Sequence, residues 1–217
     1  MEDRGSQLIT VIVLFFVLSW LTVILRCYVR ARVKVFFGAD DVLALLSLFV
    51  FTATCSVFIV GVQAAIGKHF TEVSLESYLT GIKMFYIAEL LYIALTALVK
   101  LSISVTLLRI AVEPAQIYAL YSIMTITILF TVLYFFFILF GCRPLSFTWK
   151  QILGGTNGSC FPPSLIISVS YGHSILLCLV DLTLAILPIF LVWNMKLNRH
   201  SKLSVALILA FGSMYAS

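Results

Sequence analysis

Four ionisable side chains lie inside long apolar stretches of the chain, where they are well placed to do chemistry. Glu89 and Lys100 fall in one stretch, and His173 and Asp181 fall in another. A charge in lipid costs about 2.5–3.5 kcal/mol on insertion scales, so such residues usually face a bundle interior or a cavity. Their predicted depths in the membrane match in two pairs, so we expect Glu89 to lie near His173 and Lys100 near Asp181.

The first pair predicts a polar pocket that opens outward and binds a ligand. Tyr86 and Tyr92 lie one turn before and after Glu89 and are predicted to line the pocket with His173. The alternative for His173 is a hydrogen bond that only holds two helices together.

The second pair predicts an ion pair in the inner half of the membrane. Partnering relieves the desolvation of both charges and can fix how two helices pack. The alternative for Lys100 is to extend its aliphatic stem to the inner interface. Pro188 lies on the same helical face as Asp181 and would kink that helix.

A third group combines two basic and two acidic residues. Arg26 and Arg30 are one helical turn apart, and Asp40 and Asp41 open the next apolar stretch. Carboxylates at a helix N-terminus are stabilised by the helix dipole. One interpretation is a helix start beside a salt-bridged loop. The other is a cytosolic lock that holds a resting state. The basic loop also suits anionic lipid.

No pattern of catalytic residues accompanies these groups. The sequence contains no G-x-S-x-G, no H-E-x-x-H and no glycine-rich phosphate loop. The histidine at position 69 is predicted to lie in an outer loop, the one at 173 within a membrane span and the one at 200 in a cytosolic loop. They therefore do not converge on one metal. We therefore expect no enzyme, no metal and no cofactor.

The composition requires lipid as the solvent for this chain. Of 217 residues, 62% are apolar and 11% are charged, against about 45–50% and roughly 25% in soluble domains. Mean hydropathy is +1.15. A single water-facing core of this size could not hide so much apolar surface. Nucleic-acid binders, disordered tails and secreted disulfide scaffolds are all poorly matched by this composition.

The apolar stretches predict an all-α, polytopic transmembrane bundle. A helix needs about 20 mostly apolar residues to cross a bilayer. Five stretches qualify, namely Leu8–Leu25, Val42–Val62, Met84–Leu108, Ile117–Phe140 and Leu165–Trp193. A sixth begins near Leu203 and reaches Ser217, so we expect the chain to stop inside a helix. The first stretch is predicted to be a span and not a cleaved signal peptide, because its flank is not cationic.

The distribution of basic residues predicts an N-terminus outside the cell. Short cytoplasmic loops are enriched in Lys and Arg. With this orientation, nine of the fourteen basic residues fall on the inner side: Arg26, Arg30, Arg32, Lys34, Lys100, Arg109, Lys196, Arg199 and Lys202. We expect a multi-pass protein of the plasma membrane.

One outer loop carries two further signals of the same orientation. Asn157-Gly158-Ser159 is a glycosylation sequon, which is used only on the lumenal side. Cys142 and Cys160 flank it, where oxidising conditions would allow a disulfide. The alternatives are an unmodified turn and a passive connector. The loop is otherwise expected to cover a ligand pocket.

An ordered set of short motifs resembles the fungal rhodopsin-like domain, the seven-helix region of GPCR-like fungal membrane proteins related to CFEM-containing receptors. The matching residues are Arg26-x-Tyr28-x-Arg30, Asp40-Asp41, Gly67-x-His69, Lys100-Leu101-Ser102-Ile103, Leu108-Arg109-Ile110, Cys142-Arg143-Pro144 with Trp149, Cys160, Asp181, Pro188, Lys196 and Phe211-x-x-x-Tyr215. Gly141 departs from the family pattern, which usually has Gln there. From residues 1–217 we expect neither a CFEM module nor a seventh helix with the opsin lysine.

The resemblance implies that residues 1–217 form one rhodopsin-like transmembrane domain, incomplete at its C-terminal side. It implies a receptor that senses an extracellular ligand and couples to a cytosolic signalling protein, with the bilayer as its other partner and no nucleic acid. The alternatives are a non-signalling membrane scaffold, a truncated inactive paralogue and a transporter subunit.

Overall fold

The computed structural model describes residues 5–32, 38–66, 74–150 and 157–193, with the last five side chains excepted. In chain order the elements are α1 (Gly5–Arg32), α2 (Ala39–Ala64), α3 (Leu75–Leu108), α4 (Pro114–Leu139), β1 (Cys142–Arg143), α5 (Phe147–Lys150), β2 (Ser159–Cys160) and α6 (Pro163–Trp193). Within these ranges α1, α2, α3, α4 and α6 are long and apolar enough to cross a membrane. The predicted all-α polytopic bundle is confirmed. The predicted sixth stretch lies outside the described residues.

Local sequence sets where several helices begin. The Ser74 hydroxyl accepts a hydrogen bond from the Ser77 N–H at 3.3 Å and so caps α3. Pro114 opens α4, where its missing N–H leaves no donor unsatisfied. Before α2, the Gly38 N–H donates to Asp41 Oδ2 at 3.3 Å. Asp41, one of the two acidic residues at the start of α2, therefore also accepts a hydrogen bond that stabilises the first turn of this helix.

Helix α3 lies at the centre of the described bundle. It packs against α2 on one side and α4 on the other, while α1 packs on α2 and α6 packs on α4. Helix α6 also reaches α3. The arrangement brings parts of α3, α4 and α6 next to one another.

The outer surface of these helices is apolar. Leu21 of α1, Phe49 of α2, Leu133 of α4 and Leu179 of α6 are each 58–61% exposed. In water such a surface would aggregate, whereas lipid tails are as apolar as these side chains. These four side chains are thus part of the lipid-facing surface of a membrane protein.

The two ends of the bundle differ in chemistry. The end where α1 and α3 finish and α2 and α4 start carries Arg26, Arg30 and Arg109, and is called the arginine end. The opposite end, where α6 starts, carries the Cys142–Cys160 disulfide and is called the disulfide end. The predicted disulfide is confirmed.

An apolar cluster near the arginine end joins the three facing helices. It contains Leu107 of α3, Leu120 of α4, and Val180, Leu184 and Leu187 of α6. Because each is 9% exposed or less, this cluster fixes the spacing of the helices on one side of the cavity described next.

Candidate functional site: an interhelical cavity and an arginine–aspartate cluster

A cavity of about 590 Å³ lies between α3, α4 and α6. Polar and ionisable residues from all three helices line it. They are Glu89, Tyr92, Thr96, Lys100, Tyr134, His173, Ser174 and Asp181. A volume of this size suits a small organic ligand. We call it the interhelical cavity.

Helical periodicity explains why α3 supplies so many of these side chains. An α-helix turns by about 100° per residue. Thr96 and Lys100 follow Glu89 by seven and eleven residues, so all three side chains leave the helix axis within about 20° of the same direction. Tyr92 lies about 60° to one side. One stripe of α3 therefore presents an acid, two hydroxyl groups and an ammonium group to the same cavity.

Lys100 and Asp181 form a salt bridge at one end of the interhelical cavity. The Lys100 ammonium donates to Asp181 Oδ1, joining α3 to α6. Lys100 is buried and the Asp181 side chain is 27% exposed. Since removing either partner would leave a charge in apolar surroundings, the pair also constrains how α3 and α6 pack.

Glu89 and His173 lie nearer the disulfide end of the same cavity. Measured from the salt bridge at about 1.5 Å per residue, Glu89 is roughly 16 Å away along α3 and His173 roughly 12 Å away along α6. The two side chains therefore differ by only about 4 Å in depth. Among the described residues, no basic side chain forms a salt bridge with Glu89.

His173 is held by an aromatic neighbour that sequence analysis missed. Its ring stacks on Tyr134 of α4, with centroids 4.0 Å apart and planes inclined by 11°. The Tyr134 hydroxyl lies 3.0 Å from Ser170 Oγ. His173 Nε2 is buried and has no hydrogen-bond partner within the described part of the chain. A tyrosine in the middle of an apolar span was the signal that could have identified Tyr134.

The structure corrects the assignment of Tyr86 to the pocket. Tyr86 does not line the interhelical cavity. Its hydroxyl donates to the Leu139 carbonyl at 3.2 Å, at the end of α4, and its ring lies 6.5 Å from that of Trp149. The reason is rotational, because Tyr86 lies about 120° around α3 from Tyr92.

The segment beyond α4 packs on the disulfide end of α3. Strands β1 and β2 pair antiparallel, with Cys142 opposite Cys160. Lys83 Nζ lies 5.5 Å from the centroid of Trp149 in α5. A Cβ on Gly158 would lie 2.4 Å from Phe147, so the sequon turn is folded against α5. Asn157 itself is exposed.

At the arginine end, the predicted basic and acidic residues meet. Arg30 contacts Asp40 at 2.6 Å and Asp41 at 2.7 Å, and Arg26 contacts the same two carboxylates at 2.8 and 3.2 Å. Asp40 is 0% exposed and Asp41 is 1% exposed. Two forked guanidinium groups thus hold two buried carboxylates, a geometry that favours charge-assisted hydrogen bonds.

Side chains of α3 and of Arg109, the residue directly after it, complete this group, and they were not assigned to it from the sequence. Arg109 Nη2 lies 3.0 Å from Asp40 Oδ1, and the Ser102 hydroxyl donates to the Asp40 carbonyl at 3.0 Å. Thr106 Oγ1 accepts from Arg26 at 3.1 Å. We call Arg26, Arg30, Asp40, Asp41 and Arg109 the arginine–aspartate cluster. The signal for Arg109 was its predicted position on the same side of the membrane as Asp40.

Comparison with known proteins agrees with the motif pattern. A family model described as the fungal rhodopsin domain matches residues 25–216. The match covers most of the chain, including the arginine–aspartate cluster and the interhelical cavity, and it confirms the resemblance drawn from the sequence. No curated protein and no solved structure matches the chain.

Proposed function

Because the chain belongs to the fungal rhodopsin domain family and is a multi-pass membrane protein, we propose that it is a GPCR-like receptor that senses an extracellular ligand. The ligand binds in the interhelical cavity. The arginine–aspartate cluster is the cytosolic lock that responds to it. The role of the cavity is binding, with no catalytic step.

The observation that carries the proposal is that one helix takes part in both sites. Helix α3 contributes Glu89 and Lys100 to the cavity, and Ser102 and Arg109 contact Asp40 in the cluster. A ligand that favours one position of α3 therefore favours one state of the cluster. Such a difference in affinity between two states is what shifts a conformational equilibrium.

The chemistry of the two ends supports an extracellular disulfide end. Four arginines, at positions 26, 30, 32 and 109, lie at the arginine end, and basic residues concentrate on the cytosolic side of membrane proteins. The disulfide and the exposed sequon asparagine lie at the other end, and both are suited to an oxidising, lumenal compartment. In this proposed orientation the N-terminus lies outside the cell, as expected for a receptor of the plasma membrane.

A native cysteine allows the proposal to be tested without a known ligand. Cys178 is exposed and lines the interhelical cavity. In a Cys27→Ala, Cys55→Ala background it is the remaining cysteine outside the disulfide. We would add a membrane-impermeant cationic thiosulfonate to intact cells and measure the rate at which Cys178 is labelled.

If cavity and cluster are coupled, a change in the cluster must alter this rate. Couplings of about 1–3 kcal/mol correspond to roughly 5–150-fold changes, so we expect Arg30→Gln to change the rate by about fivefold or more. Arg32→Gln is the matched control, since Arg32 is at the same end but lies over Tyr28 instead of the carboxylates. Equal rates in Arg30→Gln and the parent would support a static scaffold instead. Labelling only from the cytosolic side would reverse the orientation.

A further inference from the structure

We infer that the interhelical cavity takes a small organic cation, a protonated amine with an apolar or aromatic body, and that Glu89 is its counter-ion. The inference rests on the proposed receptor function and names the chemical class of its ligand. It follows from the charge balance of the cavity, its walls and the positions of its unpartnered groups.

The charge balance favours a cation. Lys100 is already neutralised by Asp181, which leaves Glu89 as the acid without a salt-bridge partner among the described residues of the cavity. A carboxylate in apolar surroundings is costly unless it is paired. A ligand ammonium would supply that pairing. An anionic ligand would meet the negative charge of Glu89, and the one basic side chain among the described lining residues, Lys100, is already paired with Asp181.

The walls beside Glu89 suit the same ligand. Tyr92 and Tyr134 line the cavity on different helices, and the faces of aromatic rings attract cations. His173 Nε2 is buried without a partner in the described chain and can accept a hydrogen bond from an ammonium N–H. The stack of His173 on Tyr134 keeps that ring in place.

The shape of the cavity then places the body of the ligand. About 16 Å of α3 separates Glu89 from the Lys100–Asp181 pair. Between them the α6 wall includes Leu177 and Cys178. An amine anchored at Glu89 would extend its apolar part along Leu177 and cover Cys178.

The first test measures the charge preference of the cavity directly. Cys178 is labelled with a cationic and with an anionic thiosulfonate, and the ratio of the two rates is compared between the parent and Glu89→Gln. A unit charge about 12 Å away at an effective dielectric constant of about 20 changes a rate by roughly tenfold. Loss of the Glu89 charge should slow the cationic reagent and speed the anionic one by about that factor each, so we expect the ratio of the two rates to fall by roughly a hundredfold in Glu89→Gln. Glu76→Gln, which removes an exposed acid from the same helix, should keep it.

The second test uses a defined amine as probe. 2-Phenylethylamine should protect Cys178 from labelling in a saturable manner, and 2-phenylethanol, which has the same shape without the charge, should not. Protection should weaken at least about tenfold in Glu89→Gln, the range expected when one member of a desolvated charge pair is lost. Folding of each variant is checked by monodisperse elution in detergent.

The inference is overturned by an unchanged charge preference in Glu89→Gln. It is also overturned if the amine gives no protection or if the alcohol protects equally well. Neither result touches the receptor proposal, which depends on the effect of Arg30→Gln on Cys178. Conversely, Arg30→Gln could leave the labelling rate of Cys178 unchanged while the amine still protects Cys178 in a Glu89-dependent manner. The chain would then be a cation-binding membrane protein that does not signal.

Discussion

Replacing the two members of the Lys100–Asp181 salt bridge, singly and together, should show that each residue matters chiefly because of the other. Lys100→Met and Asp181→Asn each remove one charge and leave its partner in apolar surroundings. At about 3 Å and an effective dielectric constant of about 20, a pair of unit charges is worth roughly 5 kcal/mol. The Asp181 side chain is 27% exposed, so solvent screening reduces this figure.

We therefore expect each single substitution to lower the free energy of unfolding by about 3 kcal/mol, the lower end of values for breaking a buried pair. The double variant buries no uncompensated charge at this site. It should also lose about 3 kcal/mol, instead of the roughly 6 kcal/mol that additivity requires. The coupling free energy between the two positions would then be about 3 kcal/mol.

The measurement is equilibrium unfolding in mixed detergent micelles, followed by tryptophan fluorescence for all four members of the cycle. Lys83→Met combined with Asp181→Asn serves as the control pair, because Lys83 contacts Trp149 at the disulfide end. Those two substitutions should add within about 0.5 kcal/mol. Additive losses for Lys100 and Asp181 would refute the salt bridge as the source of the stability.

Three further outcomes are expected from the arginine–aspartate cluster and the sequon. Asp40→Asn should lower the free energy of unfolding by about 3 kcal/mol and by more than Asp41→Asn, because Asp40 contacts three arginines and Asp41 two; unfolding in micelles would show the order. Gly38→Ala places a Cβ 1.4 Å from Arg109 Nη2, so it should displace the Arg109 side chain and lower the free energy of unfolding by about 1 kcal/mol. Most of that decrease should be absent when the same substitution is made in an Arg109→Gln background. Asn157→Gln should abolish a gel-mobility shift that glycosidase treatment also removes; a shift that persists in this variant would contradict use of the sequon.

The spans could be predicted from the sequence because their physical basis is local. An apolar run of sufficient length must form a helix in lipid, since every backbone polar group needs an internal partner. The predicted helices were too short where the observed helices continue through polar residues beyond the apolar stretch. The clearest case is α3, predicted from Met84 but observed from Leu75, because hydropathy does not register a capped first turn that contains Ser74 and Glu76.

The pairing of side chains across helices was only partly predictable. Matching depths placed Lys100 beside Asp181 in the prediction, and the structure has them in contact. Depth does not give rotation about the helix axis, which depends on packing against neighbours. Tyr86 was assigned to the pocket for this reason, although it faces the end of α4. The stack of Tyr134 on His173 also depends on rotation, so the sequence could not supply it.

The uninterrupted course of α3 has a mechanical consequence. From Ile82 to Leu108 the helix contains neither proline nor glycine, so nothing in it acts as a hinge. The distance from Glu89 to Arg109 is about 30 Å, and a tilt of about 5° at one end moves the other by roughly 2.6 Å. That displacement is comparable to the 3.0 Å separation of Arg109 and Asp40. A movement too small to reshape the disulfide end would be enough, at the arginine end, to break an ionic contact.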